Sequence, residues 1–268
     1  MRNTDAYLQQ GGEKVIIIQA VRAAFSMYSR IPVGGRYFDE RSMKYAFCFF
    51  PLIGCVIAAT ELLWYYIYEL LSFGVILYAA VAAAIPVFIS GGMHVDGFLD
   101  TCDALSSYGD TKKKLEILKD PNSGAFAVIS GIIYFMLTFA LFTEIGTLKQ
   151  LTAAASGFVI SRALSAAGGV CFKSARPDGL LRTFKDASRK RAVIISSCIY
   201  IIAAAAATVF AEPVCGAFVL PAAALIFIHY RFKAYKEFGG MTGDLAGWFL
   251  VRCELAVLAA VVFSGILL

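Results

Sequence analysis

The stretch GVILYAAVAAAIPVFISGGMHVDGFLDTCDA, residues 74–104, joins an uncharged apolar run to a short segment with three aspartates and a histidine. If this second segment is helical, Asp96, Asp100 and Asp103 fall within one sector of about 60°. Like charges three and four residues apart repel each other, so such a helix needs a counter-charge. At a membrane edge a hard divalent cation can supply it, because clustered carboxylate oxygens are its preferred ligands. The stretch therefore predicts a metal-assisted site at a membrane boundary, suited to chemistry on phosphate.

The composition of the whole chain is that of a membrane protein. Of its 268 residues, 59% are hydrophobic and 16% are charged, and the mean hydropathy of +0.72 excludes an ordinary soluble domain. A helix needs about 20 residues to cross a hydrocarbon core of about 30 Å. We predict one all-α domain, residues 1–268, with about seven transmembrane helices (six to eight). The predicted spans are 45–71, 74–90, 124–144, 150–171, 192–211, 214–230 and 245–268.

The basic residues predict how these helices are oriented. If the N-terminus is cytoplasmic, segments 1–44, 91–123, 172–191 and 231–244 lie inside and hold 21 of the 24 Lys and Arg residues (7, 4, 7 and 3). The positive-inside rule favours this topology, which turns the aspartate segment towards the cytoplasm. Within the N-terminal segment, Val15–Tyr28 can form an amphipathic helix on the inner membrane surface.

Other chemistry is not indicated by the composition. The seven cysteines are scattered without a CxxC pair, so we predict neither disulfides nor zinc. The net charge of +5 follows from the basic inner loops, and we predict no nucleic-acid partner. His94 lies at a different helical angle from the aspartates. It can be a proton carrier, a phosphate contact or merely a histidine at the membrane boundary.

A second polar segment, Lys119–Gly124, precedes the third predicted span. Pro121 and Gly124 break the preceding helix, which would leave the backbone N–H groups of Ser123 and Gly124 at a helix N-terminus, where a phosphate binds well. Lys119 can neutralise phosphate charge, and Asp120 can complete a metal shell or act as a base. The alternative is an ordinary loop between two spans.

A third segment, Phe238–Asp244, is rich in glycine and leads into the last span. Its backbone can approach a ligand closely, and Asp244 suits either a helix N-cap or a ligand contact. Glu254 follows inside the span, where an uncompensated carboxylate is costly.

Arg162, in the middle of another span, is equally costly without a partner. Glu254, Asp100 and a phosphate are its candidate partners, and a purely structural ion pair is as plausible as a substrate contact. The basic loop Lys173–Arg191, with Arg176, Arg182 and Lys185, is favoured as a topology determinant. It can alternatively reach over the site and bind a pyrophosphate.

These motifs, in this order, resemble the cobalamin synthase family over nearly the whole chain. The most specific match is Gly-Gly-x-His-x-Asp-Gly-x-x-Asp-x-x-Asp-Ala at Gly91–Ala104. Leu115–Pro121 and Gly239–Asp244 follow it, and Ser29–Val33 and Phe49–Gly54 are similar to the opening signatures of the family.

The resemblance implies a transferase of cobalamin biosynthesis in a bacterial or archaeal cytoplasmic membrane. Adenosylcobinamide-GDP would react with α-ribazole or its 5′-phosphate, and GMP would leave. Asp96, Asp100 and Asp103 would hold Mg²⁺ on the pyrophosphate, His94 or an aspartate would take the hydroxyl proton, and Lys119 and Asp120 would support phosphate and metal. The lipid bilayer is an expected partner, and homo-oligomerisation is left open. The expected substrate-binding positions are Gly91, Gly92, Gly97, Asn122, Ser123, Gly124, Arg162, Gly239, Gly240, Thr242, Gly243, Asp244 and Glu254.

Two other functions share part of this pattern. CDP-alcohol phosphotransferases also carry acidic residues on membrane helices, but their Asp-Gly step continues into Ala-Arg, whereas Phe98 follows Gly97 here. A cation transporter usually places its site at the membrane midplane, within broken helices. The position of the aspartates at the membrane edge favours an enzyme.

Overall fold

The structure is a computed structural model of the chain that describes residues 2–34, 40–176 and 188–265. Within these ranges every regular element is a helix, which confirms the predicted all-α class. The helices are α1 (Arg2–Tyr28), α2 (Glu40–Leu71), α3 (Val75–Ser90), α4 (Met93–Ser106), α5 (Thr111–Ile117), α6 (Ala125–Thr143), α7 (Leu148–Cys171), α8 (Lys190–Ala211), α9 (Pro213–Phe238) and α10 (Gly243–Gly265).

Six of these helices are long and apolar enough to cross a membrane. They are α2 from Met43 onward, α6, α7, α8, α9 and α10, and each coincides with a span predicted from the sequence. Residues 266–268, the end of the last predicted span, lie outside the described residues. The polytopic architecture is therefore confirmed.

The predicted span 74–90 takes a different form. It corresponds to α3, whose 16 residues extend only about 24 Å. Helix α4 then leaves α3 at 95°, and the pair counts as a seventh span only if the two helices are taken together. The bend occurs because Gly91 (φ 70°) and Gly92 (φ 84°) adopt left-handed backbone conformations that glycine alone enters readily.

Helix α7 forms the centre of the bundle. In the most apolar 18-residue stretch of α7, 83% of the residues are buried, whereas the value for the corresponding stretch is 22% in α6 and in α8. Its neighbours approach closely at glycines: a Cβ at Gly54 of α2 would overlap the Phe158 carbonyl, and one at Gly157 would meet Val257 of α10. Small residues permit such close packing between membrane helices. The outer helices turn apolar side chains such as Ile132 and Met136 outward.

The two ends of the bundle contain different connections. At one end, the Gly239–Gly243 link lies beside residues 172–176, since Ser174 pairs with Met241. Helix α4, which follows Gly91–Gly92, contacts the start of α10 at Gly97 and Asp244. We call this the motif end. At the other end, the Tyr65 hydroxyl donates to the Gly146 carbonyl at 3.5 Å. Segments that the sequence predicts on one side of the membrane therefore lie together.

Candidate active site

The three aspartates of α4 lie along one side of the helix, as their spacing predicts. Asp96 is exposed, whereas Asp100 and Asp103 are half-buried. The Asp100 carboxylate experiences the negative charges of Asp96, Asp103 and, from α10, Asp244. Four carboxylates therefore crowd together at the motif end, where an added positive charge would stabilise them.

Two glycines bring α4 and α10 into contact. A Cβ at Gly97 would lie 2.9 Å from both the Cα and the carbonyl oxygen of Asp244, and one at Gly247 would lie 2.8 Å from the His94 carbonyl oxygen. Neither position leaves room for a side chain. Gly97, expected to bind substrate, thus has a structural reason to be glycine: it lets Asp244 join the α4 acids.

Asp103 is bonded to the N-terminus of α6. Its carboxylate accepts the backbone N–H of Gly124 and, at 2.9 Å, that of Ala127. A carboxylate at this position satisfies free N–H groups and complements the helix dipole. The sequence suggested that a phosphate binds at the start of α6. In the structure the Asp103 carboxylate occupies this position and connects the loop before α6 to α4.

The loop before α6 is open to solvent. Lys119, Asp120, Asn122 and Ser123 are all exposed. The Asn122 backbone N–H and side-chain amide donate to Asp120 Oδ1 at 2.9 and 2.8 Å. These hydrogen bonds hold the pKa of Asp120 below its usual range. The loop thus presents an ionised carboxylate beside a lysine, and Asp103 fixes where it starts on α6.

The glycine-rich link before α10 pairs with the segment after α7. The Met241 N–H donates to the Lys173 carbonyl at 2.8 Å, and the Ala175 N–H donates to the Met241 carbonyl at 2.9 Å. Gly240 is required here because a Cβ would lie 2.6 Å from the Lys173 carbonyl oxygen. Gly239 ends α9 in the left-handed conformation, with φ 70°.

The sequence left two roles open for Asp244, a helix N-cap and a ligand contact. In the structure Thr242 takes the role of N-cap. The Leu245 N–H donates to Thr242 Oγ1 at 3.2 Å, so Thr242 caps α10. The exposed Gly243 separates Thr242 from Asp244. The Asp244 carboxylate is consequently left to face the α4 acids and the cavity beside them.

The pairing of the two links brings Arg176 to the site. Its positive charge acts on Asp244, and its Nη2 donates to the Leu115 carbonyl at 3.0 Å. The sequence favoured topology as the role of this basic loop, whereas the structure also puts Arg176 next to the acids. Arg182 and Lys185 lie outside the described residues. For Arg176 the structure therefore agrees with the alternative that the sequence offered, in which the loop reaches the site, and a two-residue backbone pairing determines its place.

Arg162 and Glu254 pair with each other inside the bundle. Arg162 Nη1 lies 2.6 Å from Glu254 Oε1 and donates to the Phe158 carbonyl at 2.9 Å, while the Ser161 hydroxyl donates to Glu254 Oε1 at 3.1 Å. Of the candidate partners for Arg162, the structure selects Glu254.

His94 lies between this pair and the cavity. Its side chain is 8% exposed, and its Nε2 has no hydrogen-bond partner among the described residues. The residue lines the cavity, and its unpartnered Nε2 is itself buried.

The site cavity has a volume of about 360 Å³ and lies between α1, α2, α4 and α10. Its titratable lining residues are His94, Asp96 and Asp244. Its aromatic lining residues are Tyr28, Phe47 and Phe50, which we call the aromatic wall. Sequence reasoning missed these three rings as site residues, although Phe50 belongs to one of the quoted signatures.

Comparisons with known proteins identify the family. The family model described as cobalamin-5-phosphate synthase matches residues 20–262. The chain belongs to this family. It is 49% identical over 246 residues to the adenosylcobinamide-GDP ribazoletransferase of Lachnoclostridium phytofermentans, covering 91% of this chain and 94% of that protein. Proteins of the same name from Clostridium perfringens strain 13 (32% identical; 94% and 98% covered) and Pseudomonas putida (30%; 81% and 87%) also match. No solved structure matches significantly.

As a member of the cobalamin-5-phosphate synthase family, the chain is a transferase of cobalamin biosynthesis with membrane-embedded helices. The resemblance inferred from the motifs is therefore confirmed. The family assignment also places the acid cluster of α4 in an enzyme rather than in a transporter.

The acidic residues at the motif end can be compared with the ligands that a magnesium ion requires. Among the described residues, no three His, Cys, Asp or Glu side chains gather closely enough to hold a metal by themselves. Mg²⁺ is commonly held by only one or two carboxylates, with waters and substrate phosphates as the other ligands. The α4 acids Asp96, Asp100 and Asp103, with Asp244 nearby, fit that mode of binding, because only one or two of them need to bind the ion directly.

Proposed function

We propose that this chain joins adenosylcobinamide-GDP to α-ribazole or its 5′-phosphate, giving adenosylcobalamin or its 5′-phosphate with release of GMP. The names of the relatives support this pair of substrates. The observation that carries the proposal is the crowding of Asp96, Asp100 and Asp244 beside a cavity at the motif end. A pyrophosphate donor requires strong charge neutralisation and exact placement, and little other covalent assistance.

The reaction is a displacement at phosphorus. The ribose hydroxyl oxygen of the acceptor attacks the phosphorus attached to cobinamide, and the bond from that phosphorus to the GMP oxygen breaks. The hydroxyl proton passes to a base, and GMP departs with the bonding electron pair. His94 or one of the aspartates takes the proton.

Asp96, Asp100 and Asp103 are proposed to hold Mg²⁺. When bound, the ion would neutralise the pyrophosphate and stabilise the departing oxygen. The hydrogen bonds from α6 leave room for this role of Asp103, since an ionised carboxylate has about four acceptor sites. They also orient Asp103 before substrate arrives.

Other groups at the motif end are proposed to bind the donor. Lys119 on the exposed loop and Arg176 beside Asp244 would contact phosphate oxygens. The Gly239–Gly243 link would close on the nucleotide or on the ribazole. We propose that this end faces the cytoplasm, because the segments that meet there carry most of the basic residues.

The test is turnover by purified protein in lipid nanodiscs supplied with both substrates. We expect GMP and a corrinoid product in equal amounts when Mg²⁺ is present, and neither when the ion is chelated. Both would be measured by chromatography. No GMP from folded wild-type protein, combined with divalent-metal flux in proteoliposomes, would overturn the proposal in favour of a transporter.

A further inference from the structure

The residues that line the site cavity fall into two chemical groups. Asp96 and Asp244 form a charged rim. The aromatic wall is continuous, since the Tyr28 ring lies 4.5 Å from Phe50 and 6.2 Å from Phe47 between centroids. Further apolar contacts come from the flexible side chains of Met27, Met93 and Met241 and from Leu250. Such a wall suits a flat apolar ligand, because aromatic rings and methionine sulfur both contact aromatic faces favourably.

We propose that the aromatic wall binds the planar, uncharged heteroaromatic base of the acceptor nucleoside. The base lies against the half-buried Tyr28 ring, against which the buried rings of Phe47 and Phe50 pack, and the ribose points towards the rim formed by Asp96 and Asp244. This inference rests on the proposed function and adds to it the place and orientation of one substrate.

The size of the cavity favours the acceptor over the corrinoid. Its volume of about 360 Å³ is at the lower end of the range of about 300–1,000 Å³ found for small-molecule pockets. A nucleoside fits such a space, whereas a corrin macrocycle with its side chains does not. We therefore place the corrinoid outside the cavity, with only its pyrophosphate reaching the rim.

The chemistry of the wall favours the acceptor base over the guanine of the donor. Guanine has several hydrogen-bonding groups on its edges, and burying them without partners is costly. The side chains that line the cavity away from the acids are almost all apolar, with Ser165 and the Tyr28 hydroxyl as exceptions. Asp96, Asp244 and His94 are already engaged in the proposed reaction. A base with few polar edge groups is the better match.

A bulky residue at Ala246 tests the proposal directly. Ala246 is half-buried on α10 and lines the cavity, so Ala246→Leu would fill space next to the wall. We expect the KM for the acceptor to rise about tenfold, with the KM for adenosylcobinamide-GDP unchanged. The matched control is Ala260→Leu, on the same helix and also half-buried, which should leave both KM values unchanged.

A binding measurement on wild-type protein keeps the test independent of variant folding. The free acceptor nucleoside should bind the detergent-purified protein without the corrinoid, and GMP should not displace it. Displacement by GMP, or a higher KM for the donor in Ala246→Leu, would overturn the inference and assign the wall to guanine. An unchanged acceptor KM in folded, active Ala246→Leu would also overturn it while leaving the proposed function intact. Absence of turnover in wild type would instead contradict the proposed function.

Discussion

The carboxylates at the motif end and the charges inside the bundle are arranged in opposite ways. On α4, Asp96 and Asp100 lie near further acids, and neither forms an ion pair within the described residues. In the interior, Arg162 and Glu254 are 1% and 9% exposed and share a contact of 2.6 Å, with Ser161 as an additional donor. In these two groups of residues, charge is left uncompensated where solvent and substrate can reach it and is compensated where neither can.

This difference separates two kinds of energetic role. Like charges held together at an accessible end reduce stability slightly but provide attraction for a cation and a phosphate. A buried ion pair gives little net stability, yet removing one partner is strongly destabilising because the other charge is left alone. We therefore expect substitutions at the motif end to lower activity without unfolding the protein. Substitutions of the interior pair should act mainly by lowering the free energy of unfolding.

The largest expected effect is on stability, from Arg162→Met. It leaves Glu254 buried without its cation and should cost about 3–5 kcal/mol. Thermal unfolding in detergent, followed by circular dichroism, would measure the loss. The double variant Arg162→Met/Glu254→Leu should recover most of it, because no buried charge then remains. A single variant as stable as wild type would contradict a structural role for the pair.

The next effect is on activity, from Asp100→Asn. The amide keeps the shape of the side chain and removes one of the crowded charges, so the unfolding midpoint should stay equal or rise. Turnover should fall at least about 100-fold, since even substitutions of residues that only support metal ligands cost roughly 10–100-fold. Steady-state GMP release measures it. Full activity of the amide variant would exclude Asp100 from metal binding.

Substitution of Asp103 is expected to lower both activity and stability. Asp103→Ala removes both acceptors from the N-terminus of α6 and should lower stability by about 1–2 kcal/mol as well as activity. Asp96→Ala is the matched control: it lies on the same helix but is exposed, and it should lower activity alone. Equal unfolding midpoints for the two variants would show that the contact with α6 contributes no stability.

The sequence predicted the bundle more completely than the site. Six spans were predictable because continuous apolar runs of sufficient length have few other folded forms. The bend at Gly91–Gly92 was not, since two glycines permit a turn without specifying its angle. The spacing of the α4 acids follows directly from helical geometry, whereas the closeness of Asp244 depends on Gly97 and Gly247 facing each other across two helices. Arg176 and the aromatic wall depend on tertiary contacts of the same kind.

The smallest expected effect concerns Glu61, which lies on α2 in the interior but, unlike Arg162 and Glu254, has no partner. Its side chain is fully buried, and neither carboxylate oxygen has a hydrogen-bond partner among the described residues. Glu254 is the charged group that acts on it, with the same sign. Glu61→Gln removes an unpaired acid at nearly constant volume, so stability should change by less than about 1 kcal/mol or increase. Glu61→Leu, which removes the polar atoms as well, is the control for shape. A loss of stability above about 2 kcal/mol in the glutamine variant would mean that Glu61 carries a charge and that another group compensates it. Glu61 and that group would then be a second buried pair, and the contrast between compensated charges in the interior and crowded acids at the motif end would include it.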